Sequence, residues 1–173
     1  MLPKTGVTFS CDDAALQKLF DEAERKCLHN LKDFGADTVL VEGGGSEKIW
    51  LETQPMGGAM YASRDFATGL NNSLMFMCHQ RADGRIAGSI QCHPDGTIEP
   101  QFNKFQGFCF PLHALNMWYL SGKEPAYLDM LADCLEKFDA YLWKTRDSDG
   151  DGCLESFCVY DTGEDNALRY GHA

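Results

Sequence analysis

The sequence predicts an all-α fold, built of helical hairpins with small β-hairpins in the loops. Three observations carry this expectation. Four segments repeat their apolar residues at the helical period. Long, polar, Gly-rich connections join them. At a coarser scale, helix–loop–helix units of ~40–60 residues recur, as in a helical toroid or array.

Asp12 and Asp13 are suited to cap a first helix running to about Phe34. Leu16, Leu19, Phe20, Ala23, Cys27, Leu28 and Leu31 form its apolar stripe. Val39-Leu40-Val41 and Ile49-Trp50-Leu51 flank Gly43-Gly44-Gly45-Ser46, a pattern that predicts a short β-hairpin. A second helix is expected from near Ser63 to Gln80, carrying Phe66, Leu70, Leu74 and Met77. Asp83-Gly84 then turns the chain into an extended piece from Arg85 to Gln91, and His93-Pro94-Asp95-Gly96 is another turn. The third helix spans roughly Phe108 to Leu120 and stops at Ser121-Gly122, with Pro111 in its first turn or at a kink. Pro125 opens the fourth, whose buried stripe is Leu128, Leu131, Leu135, Phe138, Tyr141 and Leu142.

Composition narrows the function classes. The 173 residues suffice for a single domain with a real core, and the 44% apolar content is that of a globular chain. With 15 basic against 26 acidic residues, the net charge of −11 disfavours nucleic acid and anionic membrane surfaces as partners. No apolar run approaches the roughly 20 residues of a membrane span, and the start shows no export signal. None of the eight cysteines has zinc-knuckle spacing, so reduced, mostly buried thiols and a cytoplasmic location are expected.

The richest chemistry lies after the fourth helix. Asp147, Asp149, Asp151 and Gly152 match the first half of a calcium loop, although the twelfth position, where an EF-hand needs Glu, is Cys158 and Glu155 falls at the ninth. Calcium is therefore the one candidate cofactor; a hydrogen-bonded acidic turn is the alternative. Asp161-Thr162-Gly163-Glu164-Asp165-Asn166 follows.

Four landmarks together resemble the six-hairpin (α/α) toroid glycoside hydrolases, in particular glycoside hydrolase family 63 and its trehalase relatives. They are Met60-Tyr61-Ala62-Ser63-Arg64-Asp65, Asp83-Gly84-Arg85-Ile86-Ala87-Gly88, the stretch from Phe105-Gln106-Gly107-Phe108 to Trp118-Tyr119, and the acidic loop with its Asp165-Asn166 continuation. They cover about residues 50–170. Ser63 and Arg64 stand where the family usually has an aromatic, and Gly107 replaces a proline. The resemblance implies that residues 1–173 are one unit, the N-terminal part of a larger (α/α)6 catalytic domain. The rest of that toroid, or self-association, would cover its open ends.

The activity implied is inverting hydrolysis of an oligosaccharide or other glycoside. Asp165 would be the general acid, and the catalytic base would lie outside the chain, leaving the isolated chain inactive. Glu164 and Asp161 would be like-charge neighbours that help keep Asp165 protonated. Asp65, Arg64, Gln106, Glu164, Asn166 and Trp50 would bind sugar. Each has a simpler reading from the residues alone: a turn or cap for Asp165-Asn166, a helix cap for Asp65, a surface ion pair for Arg64, and core packing for the aromatics around Gln106. A non-catalytic carbohydrate-binding module and a calcium-stabilised structural module are the rival functions.

Overall fold

The computed structural model describes residues 7–54, 61–157 and 161. Its content overturns the all-α expectation. About 47% is helical and 14% is strand, with two small antiparallel sheets, so the fold is mixed α/β. The order is α1 (Ala14–His29), β1 (Leu31–Phe34), β2 (Asp37–Leu40), β3 (Lys48–Trp50), a 3-10 turn at Leu51–Thr53, α2 (Phe66–Cys78), β4 (Ser89–Cys92), β5 (Ile98–Gln101), a 3-10 turn at Gly107–Cys109, α3 (Phe110–Leu120) and α4 (Pro125–Thr145).

Two differences account for the strands. The first helix does not continue to Phe34: it stops at His29, and Leu31–Phe34 turns back to pair with Asp37–Leu40. The turn has only two residues, Gly35 and Ala36, and the pairing buries Phe34 and Val39 in the core. Burial across the hairpin outweighs continuation of the helical period. Secondly, Ile49 does not pair across the glycine run. That run closes on itself through a Gly43–Ser46 bridge, and β3 pairs with β4, setting Ile49 opposite Ile90. The turn at His93–Gly96 joins β4 to β5, an edge strand that tolerates Pro100.

The other three helices form near their expected positions. Asp65 caps α2, and Pro125 stands in the first turn of α4. One core unites the sheets with α2, α3 and α4, through Val39, Ile49, Phe76, Ile90, Phe105, Phe110, Met117, Leu131 and Phe138. Asn72 of α2 clamps the backbone of β2: its Oδ1 accepts from Leu40 N and its Nδ2 donates to Leu40 O, both at 2.8 Å. Tyr127 of α4 donates to Ala114 O of α3 at 3.0 Å and meets Ser73 Oγ of α2 at 2.8 Å. Burial pushes its phenol up to about 12.

α1 stands apart from this core. None of its residues is buried, and Leu16 and Leu19 of the expected stripe are exposed. The cysteine expectation also changes. Seven of the eight lie among the described residues, none of them in a disulfide, and only Cys134 of these is buried. No helix among the described residues is long and apolar enough to cross a membrane.

Candidate functional site

The two 3-10 turns meet. One follows β3 and carries Glu52; the other follows Gln106 and leads into α3. An amide chain fixes the first turn. Gln54 Nε2 donates to Trp50 O at 2.9 Å, and Gln54 Oε1 accepts from Asn72 Nδ2 at 3.0 Å. Gln106 links the second turn to the first, its Nε2 donating to Glu52 Oε2.

Gln106 is unusual in three ways. It is only 2% exposed. Its backbone lies in the left-handed region at φ 47° and ψ 5°, which a Cβ-bearing residue adopts at a cost. Its Oε1 is buried without a hydrogen-bond partner. The next residue is glycine because of crowding: a Cβ on Gly107 would lie 2.8 Å from Phe138 Cζ and 3.0 Å from the Phe105 ring.

Phe105, on the other side of Gln106, is the hub of an aromatic and cationic cluster. Its ring stacks with Phe138 and Tyr141 at centroid distances of 6.3 and 6.4 Å. The Arg146 guanidinium lies 3.9 Å from its centroid and 4.7 Å from that of Phe157. Arg146 Nη1 donates to Asp161 Oδ2 at 2.7 Å, and the same oxygen accepts from Phe157 N at 3.0 Å. Asp161, the expected like-charge neighbour of Asp165, thus has its carboxylate paired with Arg146. Glu164, Asp165 and Asn166 lie outside the described residues.

Asp65 and Arg64 fall elsewhere. Asp65 spends both carboxylate oxygens on Thr68, from whose backbone N it accepts at 3.3 Å and from whose Oγ1 at 2.7 Å. Arg64 pairs with Glu24 of α1. Trp50 is half-buried; its Nε1 donates to Ser46 Oγ at 2.9 Å, and the Lys104 ammonium lies 4.7 Å from its centroid. Gln106 is tied through Glu52 to the turn that follows Trp50, while the hydrogen bonds of Asp65 and Arg64 point them to the α1–α2 side.

The acidic loop forms a separate feature. One carboxylate oxygen from each of Asp147, Asp149 and Asp151 lies within 4.8 Å of the others. Asp149 Oδ1 accepts from Asp151 N at 3.1 Å and Asp151 Oδ1 from Cys153 N at 2.8 Å, so each carboxylate also shapes the loop. Glu155 accepts from Ser148 N and Oγ at 2.9 and 3.0 Å, and Asp147 Oδ1 is buried without a partner. Oxygen ligands in this arrangement suit a hard cation such as calcium.

Sequence reasoning missed Glu52 and Arg146. Glu52 follows a three-residue strand and belongs to no periodic pattern, and Arg146 ends a helix where a basic residue is ordinary. Comparison with family models, curated proteins and solved structures finds no match.

Proposed function

We propose that this chain acts on glycosides by inverting hydrolysis, with Asp165 as general acid and the Trp50–Glu52–Gln106 junction as part of the sugar-binding surface. The observation that carries the reading is Gln106: a strained, buried amide, tied to a carboxylate and keeping a bare acceptor, in the motif that resembles the family. Strain of this kind collects where a side chain is needed for binding. The motif carrying Asp165 begins at Asp161, whose partner Arg146 stacks on the residue next to Gln106.

In the proposed reaction the Asp165 carboxyl gives its proton to the glycosidic oxygen as the bond from that oxygen to the anomeric carbon breaks. Water attacks the anomeric carbon from the opposite face and loses a proton to a second carboxylate, leaving a sugar of inverted configuration. That base is not among the residues assigned here.

The test titrates the chain with maltose, trehalose, cellobiose and methyl α-mannoside by calorimetry, with aryl-glycoside hydrolysis assayed alongside. At least one sugar should bind at millimolar concentration or below. Asp165→Asn should leave that binding within about threefold and remove at least ~100-fold of any hydrolysis, because the amide cannot donate the proton. Binding of none of the four overturns the reading. Binding without hydrolysis, unchanged when the base is supplied by a longer chain, favours a carbohydrate-binding module.

A second reading rests on the acidic loop. The close approach of one oxygen from each of Asp147, Asp149 and Asp151, together with the buried, unpartnered Asp147 Oδ1, favours calcium as a structural ligand.

A further inference from the structure

We propose that the cavity between the end of α1 and the Gly43–Ser46 turn binds a phosphate monoester of a small molecule. The site is separate from the Trp50–Glu52–Gln106 junction, and the inference does not depend on the glycoside reading.

The cavity has a volume of about 240 Å³ and is walled by three elements. The last turn of α1 contributes Lys26 and His29, β1 contributes Lys32, and the glycine turn contributes Gly44, Gly45 and Ser46. The β1–β2 hairpin brings them together. Val41 N donates to Asn30 O at 2.9 Å, so the chain leaving β2 runs back beside the end of α1. Gly43 is glycine because of that approach, since a Cβ there would collide with the Asn30 side-chain amide.

The wall carries donors that the fold does not use. Gly43 and Ser46 close the turn on each other, N to O at 3.0 and 2.9 Å. Among the described residues no backbone bond then holds the N–H of Gly44 or Gly45, and nothing stands within 4 Å of where their Cβ atoms would be. Ser46 Oγ accepts from Trp50 Nε1 at 2.9 Å, which occupies a lone pair and leaves the hydroxyl proton for another acceptor. Lys32 shares its charge with Glu47 at 3.0 Å; of the three basic residues it alone is ion-paired among the described residues.

Basic residues in the last turn of a helix are ordinary on their own. Here they share a cavity with a hydroxyl and two free backbone N–H groups, and Glu47 is the one carboxylate on its described wall. The net charge of −11 does not oppose this, because exposed charges are screened beyond ~8 Å and a small anion meets mainly its neighbours. A phosphate monoester brings about two negative charges and three acceptor oxygens, which suits this donor set better than the single charge of a carboxylate. The cavity also has room for the group that carries the phosphate, and Glu47 can accept from its hydroxyls.

The experiment titrates the whole chain, in phosphate-free buffer, with glycerol 3-phosphate and glucose 6-phosphate. At least one ester should bind at millimolar concentration or below, more tightly than inorganic phosphate, and should weaken several-fold between about 50 and about 300 mM NaCl. Lys26→Gln should weaken it by about tenfold and Ser46→Ala by about fivefold, with melting temperatures near that of the parent. Lys144→Gln makes the same charge change at the end of α4, off the cavity wall, and should stay within about twofold. The backbone amide resonances of Gly44 and Gly45 should shift on saturation. Failure of both esters to bind overturns the proposal, as does equal binding of inorganic phosphate or an equal loss in Lys26→Gln and Lys144→Gln. Displacement of the ester by glucose would also overturn it, by placing the ester in a sugar site. None of these outcomes bears on whether the neutral sugars bind.

Discussion

Arg146 and Asp161 form a buried ion pair, 2.7 Å from Nη1 to Oδ2, whose guanidinium lies between the rings of Phe105 and Phe157. Asp161 is thereby fixed beside the residue that precedes Gln106. Both side chains are at most 10% exposed, so the pair is largely withdrawn from water. Removing one partner would leave the other charge buried and alone. Asp161→Ala and Arg146→Ala are each expected to cost about 3 kcal/mol in urea denaturation. The double change Arg146→Met with Asp161→Leu should cost clearly less than the two single changes together, because no orphan charge remains. An additive double variant would show that the pair is not coupled.

His113 gives a pH prediction. It is fully buried in α3 with both ring nitrogens unpartnered, and burial lowers its pKa to about 4 from 6.5. The native state therefore keeps this ring neutral where the unfolded chain binds a proton. Stability should fall as the pH drops below about 6.5, and the loss should be complete near pH 4, at about 3 kcal/mol. His113→Leu removes the titration and the two unsatisfied nitrogens. It should equal or exceed the parent in stability at pH 7 and show a flatter profile between pH 7 and 5. A profile of unchanged slope would assign the acid sensitivity to other groups.

The Asp147, Asp149 and Asp151 cluster predicts a calcium effect on melting. At 100 times its dissociation constant, a ligand specific for the native state adds about 2.7 kcal/mol, which for a chain of this size is about 5 °C or more. Calcium should raise the melting temperature by this order, magnesium by less, and Asp149→Ala should abolish the difference. A melting curve indifferent to millimolar calcium would leave the three carboxylates as loop-forming groups only.

Gly84 tests the packing of the Asp83 turn against α4. Its φ is +95°, and a Cβ there would lie 2.0 Å from Lys137 O. Gly96 has a similar φ of +85° and nothing within 4 Å. Gly84→Ala should therefore cost more than about 2 kcal/mol, whereas Gly96→Ala should cost only the conformational part, about 1 kcal/mol. Equal losses in chemical denaturation would mean that the backbone of α4 yields to the methyl group.

Much of the local structure was legible in the residues alone. Asp13 and Asp65 as caps, Pro125 in the first turn of α4, and the turns at Asp83-Gly84 and His93–Gly96 all follow from the preferences of one or a few neighbouring residues. Most of the buried stripe of α4 followed from its period, with Leu131, Phe138, Tyr141 and Leu142 in the core and Leu135 partly buried, but Leu128, expected in the same stripe, is exposed. The approach of Asp147, Asp149 and Asp151 was legible for the same reason, since a five-residue loop brings its own side chains together.

What remained hidden depended on partners distant in the chain. Leu31 continues a helical stripe as well as it starts a strand; only the burial of Phe34 and Val39 across their hairpin decides between them. Ile49 could not announce Ile90 as its partner, because strand propensity records how a residue suits a sheet and not which strand it meets. In the same way Glu52 and Gln106 are 54 positions apart, and Arg146 and Asp161 are joined through a buried contact with Phe105 and Phe157. Local pattern determined the helices, caps and turns of this protein. Tertiary packing decided which polar groups lost their water, and with it which carboxylate and which amide had to find each other.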